Sequence, residues 1–378
     1  MKKDLKMKII VSKTKLINAL RLCNSISENI FSSPVFLGTL IEVNDNEIKF
    51  TTSNGIISTH SIVAKSEDAN ILEKGRILIK TKPFFAIISK LKNEMITLEK
   101  VDNSVIKVKT STFDSNINIM DEEQYPNINF SYNDWNQLSI SPIVFKKSIS
   151  KVKYAVNNNK EKINIMSGIC FNSISSEKTL EIIATDGYKL AHYKFESTPQ
   201  DFRIVLDVSL IELLLEIIDF DTNIEIFLFE SNIIFKVSNT IIASKIIEGD
   251  YPNVSRIIAT PKENKVNISK KTLVEALERG LAISSSEKKS IVKLNFSSEV
   301  LEVSFSSSDL GNSKETVSCK GKVNEPTPIS LNNHFLLSLL KTFDNDNITV
   351  EFSDSFKPVL LRDEKDPNFL QILVPIRN

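Results

Sequence analysis

Short apolar strands alternate with helix-periodic stretches along the chain, and the alternation occurs three times. Three strands each run into a serine and then a helical pattern: IIVSKTKLINAL with Ser12, LSISPIVFKKSI with Ser141, and VNISKKTLVEAL with Ser269. A serine there predicts an N-cap, because its hydroxyl accepts an amide hydrogen that the first helical turn leaves unpaired. Leu16, Leu20 and Cys23 form one narrow apolar stripe, Phe145, Ile149, Val152 and Val156 a second, and Leu273, Leu277 and Leu281 a third.

A second helix is predicted in each copy, within ILIKTKPFFAIISKL, IVLDVSLIELLLEII and PISLNNHFLLSLLKTF. Thr81, Asp207 and Asn332 are the expected caps, with Pro83 near the start of the first. Strands around a polar turn lie between the helices: IKFTTSNGIIS, LEIIATDGYKLA and LEVSFSSSDLGNS. Asn54-Gly55 and Asp186-Gly187 predict type I′ hairpins, which need positive φ at both central residues. The first two copies close on EEQYPNI and EGDYPNV, the third on DEKDPNF followed by ILVPIRN. Corresponding features recur at about 125–130 residues, the length of one domain. The pattern predicts three tandem copies of an α+β module, two helices against antiparallel sheet, with boundaries at 1–133, 134–260 and 261–378.

Composition agrees with a soluble globular chain: 378 residues, 41% hydrophobic and 25% charged. Cys23, Cys170 and Cys319 are far apart and in no CxxC cluster, which argues against a disulfide framework or zinc site and for a reducing cytoplasm. No stretch approaches the ~18 apolar residues of a membrane span. The N-terminus has no signal-peptide pattern, and Met7, where the first patterned strand begins, is an alternative start.

Catalytic chemistry is hard to find. His60, His192 and His334 are scattered, and phosphate-loop, HExxH and GxSxG patterns are absent, so no metal, cofactor or catalytic set is expected. Lys plus Arg balance Asp plus Glu at 47 each, so only the distribution of charge informs. Cations gather on the first helix of each copy: Lys13, Lys15 and Arg21; Lys146, Lys147, Lys151 and Lys153 within a lysine-rich run that ends at Lys162; and Lys270, Lys271 and Arg279, with Lys288 and Lys289 beyond. Attraction to phosphates without base reading needs this distribution.

ATDGYKLA at 184–191, EGDYPNVSRII at 248–258 and the terminal ILVPIRN at 372–378 together resemble the bacterial sliding clamp, the beta subunit of DNA polymerase III, over essentially Met7 to Asn378. The resemblance implies a non-enzymatic protein. Three clamp-type domains per chain would dimerise head to tail into a closed six-domain ring around duplex DNA, tethering the replicative polymerase and meeting a clamp loader. The lysine-bearing helices would face DNA. Partner peptides would dock through Met166, Thr185, Gly187, Tyr188, Lys189, Leu190, Pro252, Arg256, Ile257, Val359, Ile372, Val374, Pro375 and Ile376, with Lys189 and Arg256 holding polar atoms. Tyr188 and Lys189 depart from the family's usual His and Arg, and lysine lacks the planar fork of arginine. The dimer contact would pair an edge strand at Val105 to Thr112, with Ile106 and Val108, against an edge near Leu301 to Phe305, with Leu301, Val303 and Ile283. The alternative is a tandem-repeat interaction scaffold that binds no nucleic acid.

Overall fold

The computed structural model describes residues 6–27, 33–132, 136–157, 164–197, 200–218, 222–284 and 290–377. Lys162, Lys288, Lys289 and Asn378, named above, and the boundary position 133 lie outside them.

The first copy runs β1 (Lys8–Ser12), α1 (Lys13–Ile26), β2 (Gly38–Val43), β3 (Glu47–Ser53), β4 (Ile57–Ala64), β5 (Ala69–Glu73), β6 (Gly75–Lys80), α2 (Thr81–Lys90), β7 (Met95–Lys100), β8 (Val105–Lys109) and β9 (Asp114–Asn118). The second runs β10 (Asn136–Ile140), α3 (Pro142–Val152), β11 (Gly168–Ile174), β12 (Thr179–Thr185), β13 (Lys189–Glu196), β14 (Phe202–Asp207), α4 (Val208–Ile217), β15 (Ile224–Phe229), β16 (Asn232–Val237), β17 (Thr240–Lys245) and α5 (Ser255–Ala259). The third runs β18 (Asn264–Ser269), α6 (Lys270–Ile283), β19 (Ile291–Phe296), β20 (Val300–Ser307), β21 (Gly311–Lys322), β22 (Thr327–Asn332), α7 (Asn333–Leu340), β23 (Asn347–Phe352), β24 (Val359–Asp363) and β25 (Asp366–Leu373). Apart from β5 and α5, every copy reads strand, helix, four strands, helix, three strands.

Contacts divide the chain into two compact units, Met1–Ile143 with Ser209–Ile246, and Val144–Val208 with Ile247–Asn378. The middle copy is shared between them because sheets run across the joints between copies. The first unit holds a sheet ordered β5-β1-β7-β8-β9 and another ordered β10-β15-β16-β17-β4-β3-β2-β6. In the second unit the order is β14-β11-β12-β13-β25-β24-β23-β18-β21-β20-β19-β22. Two joints have one form: the third strand of a four-strand set pairs with the last strand of the next copy, β4 with β17 and β13 with β25, both antiparallel.

In the first unit α1 packs on α2, β3 and β4, and the stripe of Leu16, Leu20 and Cys23 is fully buried beside Phe50, Phe84 and Ile88. Each such Leu or Phe contributes about 1.5–3 kcal/mol over leaving it in water. In the second unit α6 packs on α7, β20 and β21. Gly280 is required there, since a Cβ would lie 1.9 Å from the Phe305 ring.

Ser12 accepts from the Lys15 amide, Ser269 from Thr272 and Asn332 from Phe335, as expected of caps. Thr81 does not cap. It is the first residue of α2, and its buried hydroxyl bonds Thr39 at 2.9 Å, which also meets Thr52 at 2.9 Å. The two hairpin turns also depart from expectation. Gly55 and Gly187 have φ of 94° and 89°, but Asn54 and Asp186 are not in the positive-φ region. Asn54 instead accepts from the amides of Ile56 and Ile57, and Asp186 from those of Tyr188 and Lys189, so the short polar side chain closes the turn and glycine alone bears the strained angle.

Candidate functional site

The β13–β25 joint in the second unit assembles most of the expected peptide residues. Leu190 stands opposite Ile372, and Ile372 opposite Leu360, forming an apolar row across three strands. These residues share one cluster with Tyr251 and Val254 from the segment preceding α5, and with the partly buried Ile165 and Ile258. Met166, half-buried, sits in a single 3-10 turn that Asn164 closes with a capping box. The Val374 amide donates to the Tyr188 carbonyl at 2.8 Å, and the Ile376 amide to Ser330 at 2.8 Å, so the tail is fastened beside the Gly187 turn. Tyr188 is 66% exposed and Ile257 40%, while Pro252 and Arg256 are also exposed. Leu190 and Ile372 are themselves only 5% and 3% exposed, so the arrangement is an apolar core patch overlaid by exposed aromatic, aliphatic and cationic side chains, the chemistry suited to an extended peptide with apolar anchors.

The segment that carries these walls is held by two residues that sequence reasoning missed. The Tyr251 hydroxyl accepts from the Thr185 amide at 3.0 Å, and burial pushes its phenol well above the usual value, so it stays protonated. The Arg203 guanidinium donates to the carbonyls of Tyr251 and Pro252 at 3.1 and 3.2 Å. Tyr251 was visible only as part of a recurrent YPN closing. Arg203 had no local signal, because its targets lie nearly 50 residues along the chain.

Two expected contacts are corrected. Lys189 is 8% exposed, paired with Asp186 and placed 4.7 Å over the Phe335 ring, so its ammonium is occupied inside the protein. Val359 is 1% exposed and packed opposite Leu373, a core residue rather than a wall.

The lysines separate into two kinds. Lys13 donates to the carbonyls of Ser89 and Leu91 at the end of α2, and Lys270 to Phe343 just beyond α7. Both are first residues of their helices; Lys13 satisfies carbonyls at the C-terminus of α2, and Lys270 one in the turn that follows α7. Lys151 is 2% exposed, donating to Thr342 at 2.6 Å and paired with Asp344 at 2.9 Å. Lys151, being buried, is corrected from a DNA-facing to a structural residue, while Lys13 and Lys270 are half-buried with their ammonium groups on carbonyls of their own fold. Arg21, Lys147 and Lys271 are exposed, and Lys15, Lys146 and Lys153 are half-buried. Lys147 lies 3.2 Å from Asp366, and Lys15 donates to the Ser66 hydroxyl at 2.7 Å.

The expected dimer strands are also corrected. β8 lies between β7 and β9, and β20 between β19 and β21. Ile106, Val108, Leu301 and Val303 are each at most 1% exposed, pointing into their own cores. Alternation marks an inward side chain, but it does not mark a terminal strand. β9 is one terminal strand of its sheet, with β5 at the other end, and among the described residues β21 is unpaired on one side along 311–318, since only its final residues, from Cys319, meet β18. Ile283, at the end of α6, is half-buried.

Among the described residues no cluster of three or more His, Cys, Asp or Glu is arranged to hold a metal ion, and no helix is long and apolar enough to cross a membrane.

Comparison with known proteins agrees along the whole chain. Residues 7–129, 139–253 and 255–377 match the N-terminal, central and C-terminal domain models of the DNA polymerase III beta subunit. The chain is 28% identical to the beta sliding clamp of Mycoplasma pneumoniae, covering 98% of this chain and 100% of that one. Its fold matches the DNA polymerase sliding clamp of Bacillus subtilis with a TM-score of 0.91 at 22% identity, over 98% and 99% of the two chains. It also matches the DNA polymerase III beta chain of Streptococcus pneumoniae with a TM-score of 0.89 at 25% identity, over 98% and 100%. Three tandem clamp domains and three matching domain models place this chain in the DNA polymerase III beta subunit family.

Proposed function

We propose that the protein is a non-catalytic processivity factor, a homodimeric ring that encircles duplex DNA and tethers the replicative polymerase. One observation carries the reading: the joint between copies is used twice within the chain, β4 with β17 and β13 with β25, and its two halves are left over at β21 and β9. By the same rule β21 of one chain pairs with β9 of the next, and two chains of three domains, bounded near 133 and 260, close a ring of six. Bare strand edges are a liability that such pairing removes.

The exposed and half-buried cations Lys15, Arg21, Lys146, Lys147, Lys153 and Lys271 are the DNA-facing set. Water-softened phosphate contacts from long side chains give a smooth potential, whereas base-edge contacts would pin the ring. Ile283 contributes an apolar contact near the dimer joint. Polymerase and clamp loader dock by short peptides at Leu190, Ile372, Tyr188, Arg256 and Ile257, so tethering raises the polymerase's effective concentration without new chemistry. The site of action is the cytoplasm. Family membership favours this reading over the scaffold alternative.

Primer extension on a long circular template with the cognate polymerase and loader tests it. The protein is expected to lengthen the products of single binding events; unchanged lengths contradict the proposal.

A further inference from the structure

The sheet face that forms the peptide floor continues past α5 into a second cleft of about 310 Å³. Its position follows from register. Leu190, His192 and Lys194 alternate along β13 and share a face. The Leu190–Ile372–Leu360 row is therefore followed by a row of His192, Leu370 and Arg362, and then by Lys194 opposite Glu181. Successive rows are about 6.8 Å apart, two residues of strand rise. Ile258 packs against the Leu190–Ile372 cluster and also lines the cleft, so α5 borders the cleft on the side of that cluster.

Beyond Leu370 the floor changes from apolar to charged. Glu181 accepts from Asn172 at 2.7 Å and lies 3.0 Å from His192 Nε2, which engages the cleft's inner carboxylate. Lys194 has no ion pair among the described residues, and Arg362 has a single long one, 3.6 Å to Glu351. Glu177, on the lining, is exposed to solvent. The His192 ring is 5% exposed, and its Nδ1 has no hydrogen-bond partner among the described residues. Lys194, opposite Glu181, and Arg362 thus face a concave space beside the Leu190–Ile372 cluster, with the carboxylates of Glu177 and Glu181 on the same lining.

We propose that this cleft is a second subsite for the partner peptide, receiving an acidic side chain from residues flanking the apolar anchors, held between Lys194 and Arg362. The inference rests on the peptide-docking reading of Leu190 and Ile372. A peptide that reaches both must pass around α5, so the acidic side chain would come from the flank and not from between the apolar anchors. Partners with acidic flanks would then be favoured over partners with neutral ones.

The test uses the polymerase-derived clamp-binding peptide, fluorescently labelled, with three flanking residues on each side replaced either by Ala or by Asp and Glu. Full-length protein is compared with a Lys194→Gln, Arg362→Gln double variant. The acidic flank is expected to tighten binding about tenfold to the parent protein, as one charge-assisted contact allows, and less than twofold to the variant. Equal binding of the Ala-flanked peptide by both proteins shows that the variant folds. If that peptide binds but the acidic flank adds nothing, or its gain survives in the variant, the second subsite is overturned alone. If the Ala-flanked peptide binds neither protein, the docking reading fails and this inference with it.

Discussion

Leu190 and Ile372 face each other across the β13–β25 joint, and the equivalent pair across the β4–β17 joint is Ser58 and Ala243. The two joints share strand order and an Asx-closed glycine turn, but only one has a broad apolar floor. Ser58 bonds Ser53 at 2.9 Å, so the first joint closes on itself with hydroxyls. One fold thus offers a greasy site at one joint and a structural seam at the other.

That contrast predicts how exposed wall residues behave. Tyr188→Ala is expected to leave thermal stability within about 0.5 kcal/mol, since the side chain is surface-exposed. It should weaken polymerase-peptide binding by about tenfold through loss of an aromatic anchor. Fluorescence anisotropy beside a thermal melt separates the two effects; unchanged affinity would remove Tyr188 from the site.

Lys189 should behave in the opposite way. Removing it leaves Asp186 in a poorly solvated turn, and breaking a buried pair costs about 3–5 kcal/mol. Lys189→Ala is therefore expected to lower the denaturant midpoint clearly, and an unchanged midpoint would return Lys189 to the list of peptide contacts.

Lys147 and Lys151 are four residues apart on α3, with opposite expectations. Lys147→Ala should lower the slope of log affinity for DNA against log salt by up to about 0.9, the loss of one phosphate contact. Lys151→Ala should destabilise the fold and leave that slope unchanged. Salt titrations of both variants decide between them.

Acid should weaken the second unit through Glu181. The hydrogen bond from His192 holds its carboxyl below the usual value of 4.5. A depressed carboxyl stabilises the native state fully above its unfolded pKa, and that contribution is lost as pH falls through the lower native pKa. Urea unfolding of the parent and Glu181→Gln proteins should differ by a constant amount above about pH 5.5, and the difference should shrink below 4.5. A difference independent of pH would contradict this linkage.

Sequence and structure agree where the physics is local. The stripes of Leu16, Leu20 and Cys23 and of Phe145, Ile149 and Val152 needed only helical period, and Ser12 and Ser269 only a neighbouring amide, whereas Val156 is buried but lies in extended backbone beyond the end of α3. Lys13 and Lys151 looked like solvent cations because their carbonyl partners lie 76 and 191 residues away. Ile106 and Leu301 were read correctly as strand residues, but sheet order, not alternation, decides which strand is an edge. At the site, Leu190, Ile372 and the glycine turn were legible, whereas the occupation of Lys189 by Asp186 and Phe335 depended on turn geometry and a distant helix.

The joint rule predicts protection at specific amides. In the assembled protein the outward-facing amides of β9 and of residues 311–318, those not directed at β8 or β20, are expected to exchange slowly, and to exchange rapidly after dilution below the dimer dissociation constant. Rapid exchange at both edges under both conditions would sink the β9–β21 pairing.

Retention on DNA of different topology tests the central claim most directly. After loading onto a nicked circular duplex, the protein should remain bound through gel filtration, and it should be lost when a single cut makes the circle linear. Equal loss from circular and linear DNA would contradict a closed ring that holds DNA by topology.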